Sequence, residues 1–132
     1  MNHRTFVTAV LLIGLPPLLG ACGEAEPPVS LACKFIAGSE DREARDMNFV
    51  IDLASPKVDI DAGTWIYGER AASDAYGKDT ISLRRHPHTG EILMTAIRAD
   101  VPATLRYDPG TGMLFYAYVL ADGIRSFQYA CK

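Results

Sequence analysis

The residues with the densest chemistry in this chain are His86-Pro87-His88, two imidazoles one residue apart. In an extended segment alternate side chains project to the same side, and imidazole nitrogens suit zinc or copper. His86 and His88 are therefore the candidate metal ligands. Against that stands a second turn of similar sequence with Asp108 and Gly110 at the equivalent places, which makes the histidines residues of a solvated turn. Asp59-Ile60-Asp61-Ala62-Gly63 opens like a calcium loop, but a third alternating acid is missing and Gly63 falls one position early. It reads as acids on the outer face of a strand or turn. No metal and no cofactor is expected.

Arg84, Arg85, Arg106 and Arg98 could converge on one sheet face to hold a phosphate or carboxylate; Glu69, Glu91 and Asp100 are placed to balance them. Trp65, Tyr67, Tyr116, Tyr118 and Tyr129 supply aromatic area, either as barrel filling or as a surface for peptide, glycan or protein. The candidate binding patch is thus Trp65, Tyr67, Tyr116 and Tyr118 with Arg84 and Arg106. Catalysis has little to work with. Beyond His3 the histidines share one turn, and no Gly-x-Ser-x-Gly elbow occurs. A hydrolase would need two carboxylates about 5–9 Å apart in one cleft.

The first residues explain where such a chain works. Arg4 is the only fixed positive charge in a short polar start, and Phe6 to Leu19 are almost wholly apolar. That run is short for a membrane span and Pro16-Pro17 breaks its helix, so it reads as the core of a signal peptide. It leads into Leu19-Gly20-Ala21-Cys22, which resembles the lipobox of bacterial lipoproteins. The resemblance implies a signal peptide over 1–21, lipidation of Cys22 as the mature N-terminus, and a tether over 22–30. Gly23 after the cysteine implies outer-membrane retention, facing the periplasm, in a Gram-negative host. A plain secretory signal cleaved near Ala21 is the alternative.

Once Cys22 is given to lipid, Cys33 and Cys131 remain as an even pair at the two ends of the mature domain. A disulfide between them would close nearly the whole domain, worth about 4.7 kcal/mol from loop entropy alone. A metal-binding or redox pair is the alternative, without a Cys-x-x-Cys or a third thiol to support it.

The elements that must position these side chains are strands. At 132 residues, 48% hydrophobic and 22% charged, the chain suits one globular domain, here over 31–132. Runs rich in β-branched and aromatic residues, bounded by glycine, proline and aspartate, predict strands over 30–36, 48–53, 64–67, 80–85, 91–98, 103–107, 113–120 and 124–131. Eight short strands predict an all-β, mainly antiparallel barrel or sandwich. The acids and late Arg45 of 38–47 suit one short surface helix, and 70–78 reads as a polar loop.

Leu83-Arg84-Arg85-His86-Pro87-His88-Thr89-Gly90-Glu91-Ile92 aligns without gaps to Leu105-Arg106-Tyr107-Asp108-Pro109-Gly110-Thr111-Gly112-Met113-Leu114. Each copy lies between two strands and predicts a hairpin, with a weaker third copy over 51–58. In 113–120 both alternating faces are apolar, which predicts an interior strand. Phe49-Val50-Ile51-Asp52-Leu53 with Val58, the Arg85…Thr89-Gly90 hairpin and Tyr129-Ala130-Cys131 loosely resemble small exported bacterial domains of unknown function. The lipid-anchored lysozyme inhibitors are also small disulfide-linked barrels, but their Ser-Gly-x-x-Tyr and Thr-Lys-Gly loop signatures are absent.

The net charge of -3 offers no basic field for nucleic acid. The sequence therefore points first to a non-enzymatic envelope lipoprotein, held to the membrane by its lipid, that binds a partner protein or envelope component. Second comes a carrier of a small apolar or anionic ligand in a cavity lined by Met94, Tyr116 and Tyr118; a carboxylate hydrolase is third.

Overall fold

A computed structural model describes residues 26–61, 63–68 and 79–132. The expected signal peptide, the expected lipidation site Cys22, the start of the expected tether, Glu69 and the segment over 70–78 lie outside the described residues. Nine strands form one sheet: β1 (Val29–Gly38), β2 (Met47–Asp52), β3 (Lys57–Ile60), β4 (Trp65–Gly68), β5 (Thr80–Arg85), β6 (Ile92–Arg98), β7 (Val101–Asp108), β8 (Met113–Leu120) and β9 (Gly123–Cys131). Every hydrogen-bonded pair is antiparallel, in the order β4-β3-β2-β1-β9-β8-β7-β6-β5, and the sheet curls into a nearly closed barrel. The odd strand count leaves the two edges, β4 and β5, running the same way. Parallel neighbours cannot be joined by a tight hairpin, and the seam of the barrel lies there.

Period-two alternation sets which side chains fill the interior. On β8, Leu114, Tyr116 and Tyr118 point inward and are buried, while Phe115 and Val119 face out. On β9, Phe127, Tyr129 and Cys131 are the inward set. Phe49, Ile51, Val58, Ile60, Ile92, Met94 and Leu105 complete a core with almost no exposed surface. Tyr116 is its hub, with ring centroids 5.8–6.4 Å from those of Phe49, Tyr67, Tyr118 and Phe127.

The repeated hairpins share their turn geometry. Gly90 and Gly112 both have φ of 76°, a region open to glycine at no steric cost. Their N–H groups donate to the carbonyls of His86 and Asp108 at 3.0 and 2.8 Å. In the β5–β6 turn His86 Nδ1 accepts from the N–H groups of His88 and Thr89. In the β7–β8 turn Asp108 Oδ1 accepts from Gly110. Asp52 does the same in the β2–β3 turn, toward Ala54 and Ser55. One side-chain acceptor two or three residues upstream thus builds all three turns.

Three features differ from expectation. β3 is an additional strand; it has only four residues and begins with an alternating Lys-Val-Asp-Ile, too short to stand out from turn signals. β1 starts at Val29, two residues inside the stretch read as tether, because Val29 and Ser30 pair with Ile51 and Val50. The expected helix is absent: residues 39–46 form bends and turns. Asp41 Oδ1 takes the N–H of Arg42, and Ala44 N–H closes a single turn onto the Asp41 carbonyl. Ser39 and Glu43 are tied to the barrel instead of to neighbouring turns.

Cys33 and Cys131 form a disulfide, with Cα atoms 4.0 Å apart on directly opposed positions of β1 and β9. The neighbouring pair Ala32 and Lys132 exchanges both backbone hydrogen bonds, so the cysteines occupy the close, non-hydrogen-bonded pair between strands. Both lie on the inner face, 4% and 9% exposed. A reductant should therefore reach the bridge only through unfolding. Thiol release in dithiothreitol should follow urea-induced unfolding, and the reduced protein should be about 2–5 kcal/mol less stable. Rapid reduction of the folded protein would contradict this burial.

Candidate functional site

One end of the barrel is built differently from the hairpin end. It gathers the β1–β2 connection and the β3–β4, β6–β7 and β8–β9 turns, and it contains a cavity of about 290 Å³. The lining is Trp65, Tyr67, Tyr116 and Tyr118 with Arg98, Ala99, Val101 and Leu120. Larger but more open hollows lie on the outer surface around Arg106 and Phe115, and beside the disulfide among residues of β1, β2 and β9.

Each lining residue follows from strand alternation. Trp65 and Tyr67 are the inward positions of β4, Tyr116 and Tyr118 those of β8, and Arg98 is the last inward position of β6. Arg98 pairs with Val101, so the turn between them has two residues, Ala99 and Asp100. A two-residue hairpin of this type needs positive φ at both, and they sit at 52° and 64° without being glycine. That conformation is costly for alanine. The Ala99 N–H donates to Asp79 Oδ1 at 3.0 Å, which helps hold the turn at the rim.

The connection over 39–46 straps down the same end. Glu43 has no exposed surface. The Trp65 indole N–H donates to its Oε1 at 2.9 Å, and the Tyr118 hydroxyl lies 3.0 Å from its Oε2. The Tyr129 hydroxyl donates to the Glu43 carbonyl. Asp41 Oδ2 is also 3.0 Å from the Tyr118 hydroxyl and 3.6 Å from Arg125 Nε. One phenolic proton is therefore shared between two carboxylates. Asp41 is held below the usual carboxylate range, first by the Arg42 N–H and then by the Tyr118 hydroxyl.

The guanidinium groups of Arg42 and Arg98 lie 5.0 and 5.5 Å from the Trp65 ring centroid. Deeper in, the hydroxyls of Tyr67 and Tyr116 are 2.6 Å apart. Burial pushes both phenols up from their ordinary value. It does the same to Tyr118 and Tyr129, aided at Tyr118 by the hydrogen-bonded Asp41 and at Tyr129 by the charge of Glu43.

The expected patch is thus divided. Trp65, Tyr67, Tyr116 and Tyr118 come together, but inside the barrel. Arg84 and Arg106 are exposed on the outer face, on either side of Leu93 in adjacent strands. Arg106 is bound by both carboxylate oxygens of Glu91 at 3.0 Å. Arg85 points the opposite way from Arg84 and is held by the Gly90 carbonyl and Glu26. The four arginines do not converge, because neighbours on one strand face opposite sides and Arg98 is at the far end.

Met94 is buried in the core and is not part of the cavity wall. His86 is engaged by backbone N–H groups, and among the described residues no group of three or more potential metal ligands forms. Asp59 lies on β3 and Asp61 pairs with Arg45. Two acids do meet, Asp41 and Glu43, at Tyr118. Both oxygens of Glu43 are already engaged, by Trp65 and Tyr118.

The sequence reading passed over Glu43, Ala99, Val101 and Leu120. Glu43 stands in a run of charged residues that looks like surface. Its only signal is indirect: Trp65, Tyr118 and Tyr129 all turn polar tips inward, and the strands offer them no acceptor. No protein family, no curated protein and no solved structure matches this chain.

The raised phenols carry a pH signature. The folded state favours their protonated form, so their contribution is complete below the ordinary value of 10.0 and is lost as pH climbs above it. In an absorbance titration Tyr67, Tyr116, Tyr118 and Tyr129 should remain un-ionised near pH 10 and ionise together as circular dichroism reports unfolding. Ionisation of all four in the still-folded barrel would refute the assignment.

Proposed function

We propose that this chain is a lipid-anchored envelope protein whose barrel is a non-enzymatic binding module for a small ligand, taken up in the aromatic cavity at one end. The cavity between Trp65, Tyr67, Tyr116, Tyr118, Val101 and Leu120 carries the proposal. It combines apolar walls with a few polar groups, the usual make-up of a ligand site. At the ~30 Å³ of a liquid water it accepts roughly ten non-hydrogen atoms.

A protein-binding surface has less support. Val119 and Ile124 are exposed and directly opposed on β8 and β9, and Ile36 is exposed on β1. The next pairs up these strands, Ala117 with Ser126 and Phe115 with Gln128, interrupt that strip with polar side chains.

Trp65 is the chain's single tryptophan, so its fluorescence reports on the cavity alone. Benzamide should perturb that signal and bind with a Kd of about 1 mM or tighter, near −4 kcal/mol. Val101→Phe, which fills the cavity, should weaken binding at least tenfold while the barrel stays folded. Undiminished binding to that variant, or a wild type that binds neither benzamide nor a charged analogue of the same shape, would remove the proposal.

The anchor rests on the lipobox resemblance. β1 begins at Val29, only a few residues after Cys22, which would hold the barrel close to the membrane. The protein extracted from membranes should have an intact mass that begins at Cys22 with acyl chains added, and Cys22→Ser should lose them. A soluble, unacylated wild-type product would exclude the anchor.

A further inference from the structure

We infer that the cavity selects small carboxylates: an anionic head drawn by Arg98 at the rim and by the hydroxyl pair of Tyr67 and Tyr116 deeper in, with an apolar or aromatic body against Trp65, Val101 and Leu120. This rests on the end cavity being a ligand site and specifies what enters it.

An aromatic cage by itself would suit a cation. Here that role is already filled, since the guanidiniums of Arg42 and Arg98 both lie over Trp65. Among the described residues Arg98 is the only charged one of the lining. Of the nearby acids, Glu43 is sealed behind the wall with its oxygens committed to Trp65 and Tyr118, Asp41 is turned toward Arg125, and Asp79 is outside the lining with Oδ1 on the Ala99 N–H. A cationic ligand would therefore meet like charge.

The hydrogen-bonding inventory points the same way. Arg45, Arg85, Arg106 and Arg125 each have a carboxylate partner, whereas Arg42, Arg84 and Arg98 have none among the described residues, and of these three Arg98 alone lines the cavity. Its planar fork matches a carboxylate with two parallel bonds. Tyr67 and Tyr116 share one hydrogen bond at 2.6 Å. Two phenols hold two hydrogens, so one O–H is left over, with no acceptor among the described residues. Both hydroxyls are buried, at residues only 4% and 0% exposed, and both residues line the cavity. Burial keeps them protonated and able to donate. The lining residues thus present unused donors and no carboxylate; the one unpartnered carboxylate oxygen at this end is the buried Asp79 Oδ2, whose Oδ1 is held by the Ala99 N–H. A carboxylate, which only accepts, fits that inventory better than an amide of the same shape.

Benzoate, benzamide and benzyltrimethylammonium, titrated calorimetrically and by Trp65 fluorescence, separate the possibilities. Benzoate should bind the wild type at least tenfold more tightly than either alternative. Arg98→Gln should abolish that preference while retaining benzamide binding, and Arg98→Lys should keep part of it. Equal affinities for benzoate and benzamide, tighter binding of the ammonium compound, or a preference that survives Arg98→Gln would each overturn the carboxylate assignment while leaving the cavity as a ligand site. Silence toward all three probes would overturn both.

Discussion

Two strands at opposite ends of the domain carry the closure of the sheet. Cys33 of β1 stands opposite Cys131 of β9, 98 residues on, and Ala32 and Lys132 exchange both backbone hydrogen bonds beside them. Without that pairing the chain would be two separate meanders, β1–β4 and β5–β9, each with one bare apolar face and exposed edges. Exposed edges invite pairing with other chains. Joining β1 to β9 turns the two apolar faces into one interior and removes two of the four edges. The entropic cost of bringing such distant residues together grows only logarithmically with loop length, and the disulfide lowers it further by constraining the unfolded chain. The remaining edges, β4 and β5, run the same way, so no hairpin can seal them.

A barrel closed in this way must be filled, and here much of the filling is aromatic. Phe49, Tyr116, Phe127 and Tyr129 are almost wholly buried, each contributing on the order of 1.5–3 kcal/mol of apolar transfer. Tyrosine and tryptophan bring polar tips with them, and a buried tip without a partner costs about 1–3 kcal/mol. Glu43 answers three of these needs at once, with its two carboxylate oxygens for Trp65 and Tyr118 and its carbonyl for Tyr129. The β1–β2 connection is a strap rather than a helix for this reason. Its geometry is governed by what the barrel interior requires, not by the helical preference of its charged residues.

Local features of the chain were legible where the pattern is local. The apolar character of both faces of 113–120 marks an interior strand, which β8 is, and the aligned segments around His86-Pro87-His88 and Asp108-Pro109-Gly110 do form matching turns. The repeat also gives His86 a structural role, as an acceptor equivalent to Asp108. Less legible was anything that depends on pairing across the barrel. β3 is too short to register before β2 and β4 are in place on either side of it. Arg84 and Arg98 look alike in sequence, and only the register and the end of the strand decide that one meets solvent and the other the cavity. Glu43 could not be told from its charged neighbours, because the groups that bury it come from β4, β8 and β9. The grouping of Trp65, Tyr67, Tyr116 and Tyr118 was anticipated; their being interior was decided by the barrel.

That grouping makes the aromatic end both core and candidate site, and the two roles constrain each other. Tyr116 touches four other rings, so its replacement would disturb packing before it disturbed any ligand. Tyr118 and Trp65 are likewise committed to the strap through Glu43. A ligand in the cavity would tighten the same set of rings and would stabilise the barrel in proportion to its occupancy. Arg98 differs from these. It ends β6 at the rim, next to a turn held in a strained conformation at Ala99 and Asp100, and no carboxylate among the described residues holds it. Beyond its place over the Trp65 ring the fold makes little use of its charge, and at Arg98 the demands of a ligand can be separated from those of the core.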